Sequence, residues 1–478
     1  MKKRIVPLLL SLVLVLTTLL TACSSANNGN ANSGDEVVTL RWVQLGSGMP
    51  ANYDAWLEHL NPYLEEKIGV NLQVDVISWG DWGNKRNVMI NSGEYFDILF
   101  TDSGTFTSDI ELGAYYDIKD LVKTVTPDLY NFIPADYWEA VTVNGGIYAV
   151  PTYKDSSLSN YIVWDKAIAE KYDIDYPNIH TLNDLTEPLK KIKEGEGIVP
   201  FPLESSGLGM VTSLYDGMGA DVNGIGVRYD DNTRTVVNVF EQEDIMEQFR
   251  ILHKWYNEGL INADAPTLDA GPTHKAVAIA QGWPSAAKTT WGPNMGVEAE
   301  AVQINETIVS NSTVRGSMNA IYSGTNYPEK CLELLQLVNT DSKVRDALYY
   351  GLEGDDFEYT ADGKINRLKT DWPMAGYTQG TFFNISPLAD TEFNQWDEVK
   401  ELNESAKPSV LLGFTMDTTN VINEITNCRE IFNKYRSELF TGSRNPDELV
   451  PQITKEMKAA GMDKIIAEAQ AQIDAYFK

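Results

Sequence analysis

Between residues 38 and 100 the apolar side chains change period several times, and that alternation leaves the chain few folds to choose from. Val38, Leu40 and Trp42 alternate with Thr39 and Arg41, as a strand with one buried face requires. Leu57, Leu60, Leu64 and Ile68 then keep helical spacing up to Gly69, a helix stop. Leu72, Val74 and Val76 alternate again, residues 81–91 read as a second helix, and Asp97-Ile98-Leu99-Phe100 forms a third short strand. A β-α-β-α-β run of this kind predicts an α/β fold with mainly parallel sheets, right-handed crossovers and flanking helices. Ligands of such sheets gather at the carboxyl ends of the strands. Here those ends hold Ser47, Trp79, Asp81, Trp82, Asp102 and Ser103.

The amino terminus carries an address. Met1-Lys2-Lys3-Arg4 precedes an apolar stretch over residues 5–20, which is short for a membrane span and has the basic flank of a secretory signal. The following Leu20-Thr21-Ala22-Cys23 resembles the bacterial lipobox, at whose cysteine a diacylglycerol is attached and the preceding peptide removed. Residues 1–22 are therefore expected to be a lipoprotein signal peptide and Cys23 the lipidated residue. Residues 23–36, rich in Ser, Asn and Gly, have nothing to bury and read as a flexible tether with a reach of about 20 Å. Two acyl chains on one residue are enough for stable anchoring, where one is not.

The rest of the chain is acidic. Loss of residues 1–22, which carry Lys2, Lys3 and Arg4 but no acid, takes the net charge from −30 to −33. Such a surface repels nucleic-acid phosphates and anionic headgroups, so no nucleic-acid partner is expected. The length of 478 residues predicts two to three lobes. Only Cys331 and Cys428 follow Cys23, and spacing leaves their pairing open.

Several motifs then carry a family likeness. Met89-Ile90-Asn91-Ser92-Gly93-Glu94-Tyr95-Phe96-Asp97-Ile98 resembles the small-Gly-x-x-x-Asp-aliphatic junction of extracellular solute-binding proteins of carbohydrate ABC transporters. Asn144-Gly145-Gly146-Ile147-Tyr148-Ala149-Val150-Pro151 is similar to that family's first lobe crossing, and Tyr161-Ile162-Val163-Trp164-Asp165-Lys166 to the opening of its second lobe. Trp255-Tyr256-Asn257-Glu258-Gly259-Leu260-Ile261 and the segments 320–330 and 332–338 follow in the family's order. Beyond Asp371 the chain resembles the extended carboxyl-terminal region of larger Gram-positive lipoproteins.

The resemblance implies a two-lobed, periplasmic-binding-protein-like fold with the ligand cleft between the lobes. It places residues 37–150 and 310–371 in the first lobe and 151–309 and 372–478 in the second, with the second crossing at Glu306-Thr307-Ile308-Val309. It further implies a monomeric, non-enzymatic receptor, lipid-anchored on the outer face of a Gram-positive type membrane, that hands an oligosaccharide to ABC permease subunits without a cofactor. Alternatives are a binding protein for a cationic peptide or other small solute, and a surface-anchored glycan-active enzyme.

Motifs for catalysis do not help the enzyme reading. The four histidines fall in no metal-ligand spacing, and no Gly-x-Ser-x-Gly elbow, Walker loop, Cys-x-x-Cys or dinucleotide fingerprint occurs. Sixty-eight carboxylates place some pair at glycosidase separation by chance, so their number discriminates nothing. Asp355-Asp356 and Asp230-Asp231-Asn232 lack the calcium-loop spacing and read as solvated turns, so no metal is expected. A sugar site needs aromatic platforms ringed by polar groups. Besides the strand ends, this requirement selects Tyr153 and Lys154 after the first crossing, Trp283 and Trp291 in Gly-Trp-Pro and Trp-Gly-Pro contexts, and the cluster Trp372, Tyr377, Phe382 and Asn384. Trp283, Trp291 and Trp372 are expected to matter most. Trp56, Trp138, Trp164, Trp255 and Trp396 lie inside periodic segments and are expected to pack in cores. Replacing Cys23 by Ala should leave a folded, secreted protein that no longer pellets with membranes on fractionation. Continued pelleting would reject the lipid anchor.

Overall fold

The computed structural model describes residues 37–219 and 222–478; the signal peptide, the tether and Cys23 lie outside them. The expected alternation builds the first body. Strand β1 (Val38–Gly46) is followed by helix α1 (Tyr53–Ile68), strand β2 (Val70–Ser78), helix α2 (Trp82–Ser92) and strand β3 (Ile98–Thr101). β1 lies between β2 and β3 and pairs with both in parallel, with Leu40 opposite Leu72 and Trp42 opposite Val74 and Ile98. α1 buries Trp56, Leu60 and Leu64 and stops at Gly69, whose φ of 65° suits glycine. The sheet is completed beyond β3 by the strands Met318–Ile321 and Val150–Pro151, the first antiparallel to β3 and the second antiparallel to the first.

The second body is also helix and sheet, but its strands pair differently. Asn160–Asp165 runs antiparallel to both Val277–Gln281 and Ala299–Gln303, and a second three-stranded sheet, Tyr215–Gly217, Ile225–Arg228 and Val237–Asn238, is antiparallel as well. The expectation of parallel pairing therefore holds for β1 to β3 and not for this body. The helices Leu182–Glu196, Glu243–Asn257, Ile422–Phe440, Pro446–Ala459 and Met462–Tyr476 share one core with Trp164, Trp255, Phe240 and Phe249. None of the helices among the described residues is long and apolar enough to cross a membrane.

Segments that join the bodies run side by side. Leu158 and Ile308 exchange both backbone hydrogen bonds, at 2.7 and 3.1 Å, and Ile308–Val309 pairs in parallel with Lys407–Pro408. The tail does not divide at 371 and 372 as expected. Met374 belongs to the first core, and Phe382, Ile385, Trp396 and Val399 pack with Tyr350, Phe357 and Ile365 in a core of their own. Only from Leu411 do buried side chains join the second core. What holds 376–381 back is Arg345, fully buried on the helix Ser342–Tyr350. Its Nε donates to Thr381 O (2.7 Å), its Nη1 to Gln379 Oε1 (2.6 Å) and its Nη2 to Gly376 O (2.8 Å).

Cys331 and Cys428 are free, buried in different cores, and form no disulfide with one another. Trp56, Trp138, Trp164, Trp255 and Trp396 are buried, as their periodic settings predict. Asp356 departs from the solvated-turn reading. It is buried, and Asn52 Nδ2 donates to it (2.9 Å) and to Asp355 (2.7 Å), while Lys369 lies 2.7 Å from Asp355.

One glycine decides how the tail meets the sheet. A Cβ on Gly46 would sit 2.3 Å from Pro373 O and 2.8 Å from a Val76 methyl, so only glycine lets the 373–374 backbone cross the end of β1. Ser47 N donates to Pro373 O at 2.8 Å there. Gly46→Ala should cost about 2–4 kcal/mol of stability by chemical denaturation, because the obstruction is backbone that cannot rotate away. An unchanged midpoint would show that the crossing yields.

Candidate functional site

Parallel strands aim their carboxyl ends at one edge of the first body, and the side chains that follow them meet there. Trp79, directly after β2, is 52 % exposed, and its indole lies over the ring of Tyr377 with centroids 6.3 Å apart and planes 19° from parallel. Phe100 of β3 supports Tyr377 edge-on at 6.1 Å. Lys154 holds its ammonium 5.8 Å from the Tyr377 centroid and 2.6 Å from Asp155 Oδ1. Burial, then the negative charges of Asp102 and Asp155, push the Tyr377 phenol up from its ordinary range, so it stays a hydroxyl at neutral pH. Asp102 Oδ1 accepts from Gly104 N at 2.8 Å, which fixes the turn after β3. Trp79, Tyr377, Lys154 and Asp102 thus form an aromatic platform with charged and polar groups at its edge, and Ser47 stands exposed at the end of the neighbouring strand.

Other expected residues are placed elsewhere. Asp81 starts α2 in the open, with its carboxylate 3.2 Å from Lys85, whose hydrogen bond holds it below the usual range. Trp82 is half-buried and packs on Phe100 at 5.4 Å, behind the platform. Tyr153 is 5 % exposed, enclosed by Phe132, Tyr137 and Phe383. Trp372 packs edge-on against Trp56 and donates from Nε1 to Leu348 O (3.0 Å). Phe382 lies 4.2 Å from Trp396, and Asn384 accepts from Ser342 Oγ (2.9 Å). Trp283 turns inward onto Trp396 (5.8 Å), while Trp291 covers Tyr161 (5.7 Å) on the free face of the second-body sheet. Of the four indoles, that of Trp79 is the most open, whereas those of Trp283, Trp291 and Trp372 are half-buried. Glycine and proline put the backbone of these residues in loops, but each indole folds onto a neighbouring aromatic.

Beside Asp102, Ser103 opens onto a cleft of about 440 Å³ between the two bodies. Thr107 and Asn144 line it from the first body, and Met218 and Phe414 from the second. Of the charged residues in its wall, two buried ones that escaped the sequence reading stand out. Asp216, on Tyr215–Gly217, accepts from Ser409 Oγ at 2.7 Å; Arg315 donates from Nε to Ala140 O and from Nη2 to Thr415 Oγ1, both at 2.7 Å. Burial pushes the Asp216 carboxyl up to about 6, against the pull of Ser409 and Arg315, and lowers the Arg315 guanidinium to about 10. Each stands beside a glycine in the sequence and looks like a turn residue, so only the fold gives it away. A separate cavity of about 380 Å³, lined by His59, Tyr63, Lys343, Glu353 and Tyr359 among others, opens beside α1 and holds none of the expected residues.

A two-bodied α/β chain with adjoining connecting segments, a polar cleft and an aromatic platform at the strand ends is the architecture of a solute receptor, and the comparisons agree. Residues 46–341 match the family model for bacterial extracellular solute-binding proteins, and residues 410–478 match a domain of unknown function. The chain belongs to the bacterial extracellular solute-binding proteins. It is 30 % identical to a carbohydrate ABC transporter substrate-binding protein of Streptococcus pneumoniae, over 98 % of this chain and 97 % of that one. A lipoprotein of Bacillus subtilis, LipO, is 25 % identical over 53 % of this chain and 50 % of its own. Among solved structures, the N-glycan transport solute binding protein of Streptococcus pneumoniae superposes with a TM-score of 0.83 at 27 % identity, covering 92 % of this chain and 98 % of that one. That protein is also known in complex with Man1GlcNAc and with Man5GlcNAc, at TM-scores of 0.77 and 0.73.

For this solute-binding protein, Asp216 gives the cleft a pH signature. Its folded pKa of about 6 lies above the ordinary 3.8, so the folded state binds the proton more tightly than the unfolded chain. The associated stability is complete below about pH 4 and is lost as pH rises through about 6, with a full span of roughly 3 kcal/mol. Wild type should therefore gain on Asp216→Asn as pH falls from 7 to 4 in thermal unfolding. A constant difference between the two would rule out the raised carboxyl.

Proposed function

We propose that this protein captures an oligosaccharide at the outer face of the cell membrane and delivers it to the permease of an ABC importer, without catalysis. The observation that carries this reading is the full-length kinship with a carbohydrate ABC transporter substrate-binding protein, supported by the likeness to an N-glycan receptor over nearly its whole length. The site is consistent in chemistry. Sugars present C–H faces and hydroxyl edges, and the exposed indole of Trp79 with Tyr377, Lys154 and Asp102 around it offers a stacking surface and donors and acceptors for the rim. Lipidation at Cys23 and monomeric action complete the proposal.

The cleft also suggests how capture works. A ligand that touches both walls favours the closed arrangement by its differential affinity, and the adjoining segments 158, 308–309 and 407–408 supply the hinge. Calorimetry with Man1GlcNAc and Man5GlcNAc should give one-to-one binding, and the sugar should be recovered intact after overnight incubation. Trp79→Ala should weaken binding by about 1–3 kcal/mol, a tenfold to hundredfold loss, with the unfolding midpoint little changed. Hydrolysis products would replace the receptor by an enzyme, and unaltered affinity in Trp79→Ala would move the platform elsewhere.

A further inference from the structure

The cleft lining holds two opposite charges that are buried and attract one another without forming a direct ion pair. Asp216 is 8 % exposed and Arg315 is 7 % exposed, and both line the same cavity. Each has bonds on one side only. Asp216 uses Oδ2 for Ser409, and Arg315 uses Nε and Nη2 for Ala140 and Thr415, which leaves Oδ1 and Nη1 without a partner among the described residues. The Phe106 ring, 5.7 Å from the guanidinium carbon, holds Arg315 in place. Met218, Val222 and Phe414 add an apolar lining to the same space. At about 440 Å³ the cavity is within the roughly 300–1,000 Å³ of small-molecule sites.

A buried acceptor and a buried donor beside an apolar patch describe the complement of a secondary amide bearing a methyl group. The amide N–H satisfies a carboxylate, its C=O satisfies a guanidinium, and the methyl fills the patch. A hydroxyl offers one polar atom to both groups and leaves the patch empty; an ammonium satisfies Asp216 but meets the positive charge of Arg315. We propose that the Asp216–Arg315 cavity reads the acetamido group of an N-acetylhexosamine unit, and so sets the class of glycan that the cleft accepts. This proposal rests on the oligosaccharide reading above and adds the residues that discriminate.

Full-length protein should be titrated calorimetrically with three disaccharides that differ only at C2 of the reducing unit: mannosyl-N-acetylglucosamine, mannosyl-glucose and mannosyl-glucosamine. The acetamido sugar should bind at least about tenfold more tightly than either of the others, because mismatched partners leave a buried charged group unsatisfied. In Asp216→Asn and Arg315→Gln that preference should shrink toward unity. The wild-type comparison stands even if a variant fails to fold. Equal affinity for the hydroxyl and acetamido sugars would overturn the acetamido assignment and leave the oligosaccharide reading intact, and so would preference for the ammonium sugar. Failure of all three to bind, with Man5GlcNAc also silent, would reject the oligosaccharide reading itself.

Discussion

The guanidinium of Arg345 fastens the site to the scaffold. It is completely buried and bonds only to neutral acceptors, four of them and all in the 376–381 segment. Burial lowers it to about 10, which still leaves it charged at neutral pH. A charge so placed is costly unless every N–H finds its acceptor, so the segment has little freedom to leave. The same segment is gripped from the sheet side. Asn319 donates from Nδ2 to Thr378 O and Gln379 O at 3.0 Å, while its Oδ1 accepts from Trp42 Nε1 at 3.0 Å. Gln44 completes the set by accepting from Thr378 Oγ1 at 2.5 Å. Such a network is stabilising only when complete, and it is complete here. Tyr377 is rigid because the backbone on either side of it is held by β1, by the strand Met318–Ile321 and by the helix Ser342–Tyr350.

That anchoring explains why a long tail contributes to the first body before it reaches the second. Residues 372–399 cover the strand ends and build a small core, and from there the chain passes beside Ile308–Val309 to the second body. Motion about the adjoining segments would thus carry Trp79, Tyr377, Lys154 and Asp102 as one rigid wall. Asp216 and Met218 would travel on the other.

The sequence made much of the first body legible because its periods are local: two for the strands, helical for α1, with Gly69 as a stop. The strand ends followed from topology alone, and Trp79, Asp102 and Ser103 are there. Local reading failed where a side chain's fate depends on a distant partner. Trp283 and Trp372 sit in loops, yet the indoles turn onto Trp396 and Trp56, more than a hundred and more than three hundred residues away. The antiparallel pairing of Asn160–Asp165 was hidden for the same reason, since more than a hundred residues intervene before its partner Val277–Gln281. Asp216 and Arg315 had no signal at all. A carboxylate beside a glycine reads as a turn until the fold buries it.

On the proposed reading, the aromatic platform and the buried charges would divide the work of recognition along physical lines. A stacked ring gains about 0.5–1.5 kcal/mol beyond its buried area, and it does so for any apolar face presented to it. Trp79 would therefore supply affinity that differs little from one hexose to another. Buried polar groups act by penalty. A donor or acceptor left unsatisfied costs about 1–3 kcal/mol, and more when it is charged, so Arg315 on the first body and Asp216 on the second would together reject the ligands that do not complete them. Selectivity of this kind needs the groups to be desolvated before the ligand arrives, and Asp216 and Arg315 are both buried. The folded state is less stable at neutral pH for carrying the Asp216 charge in the wall. A receptor that must also let its cargo go would be well served by this division, with modest stacking setting how tightly a sugar is held and the buried charges setting which sugar it is.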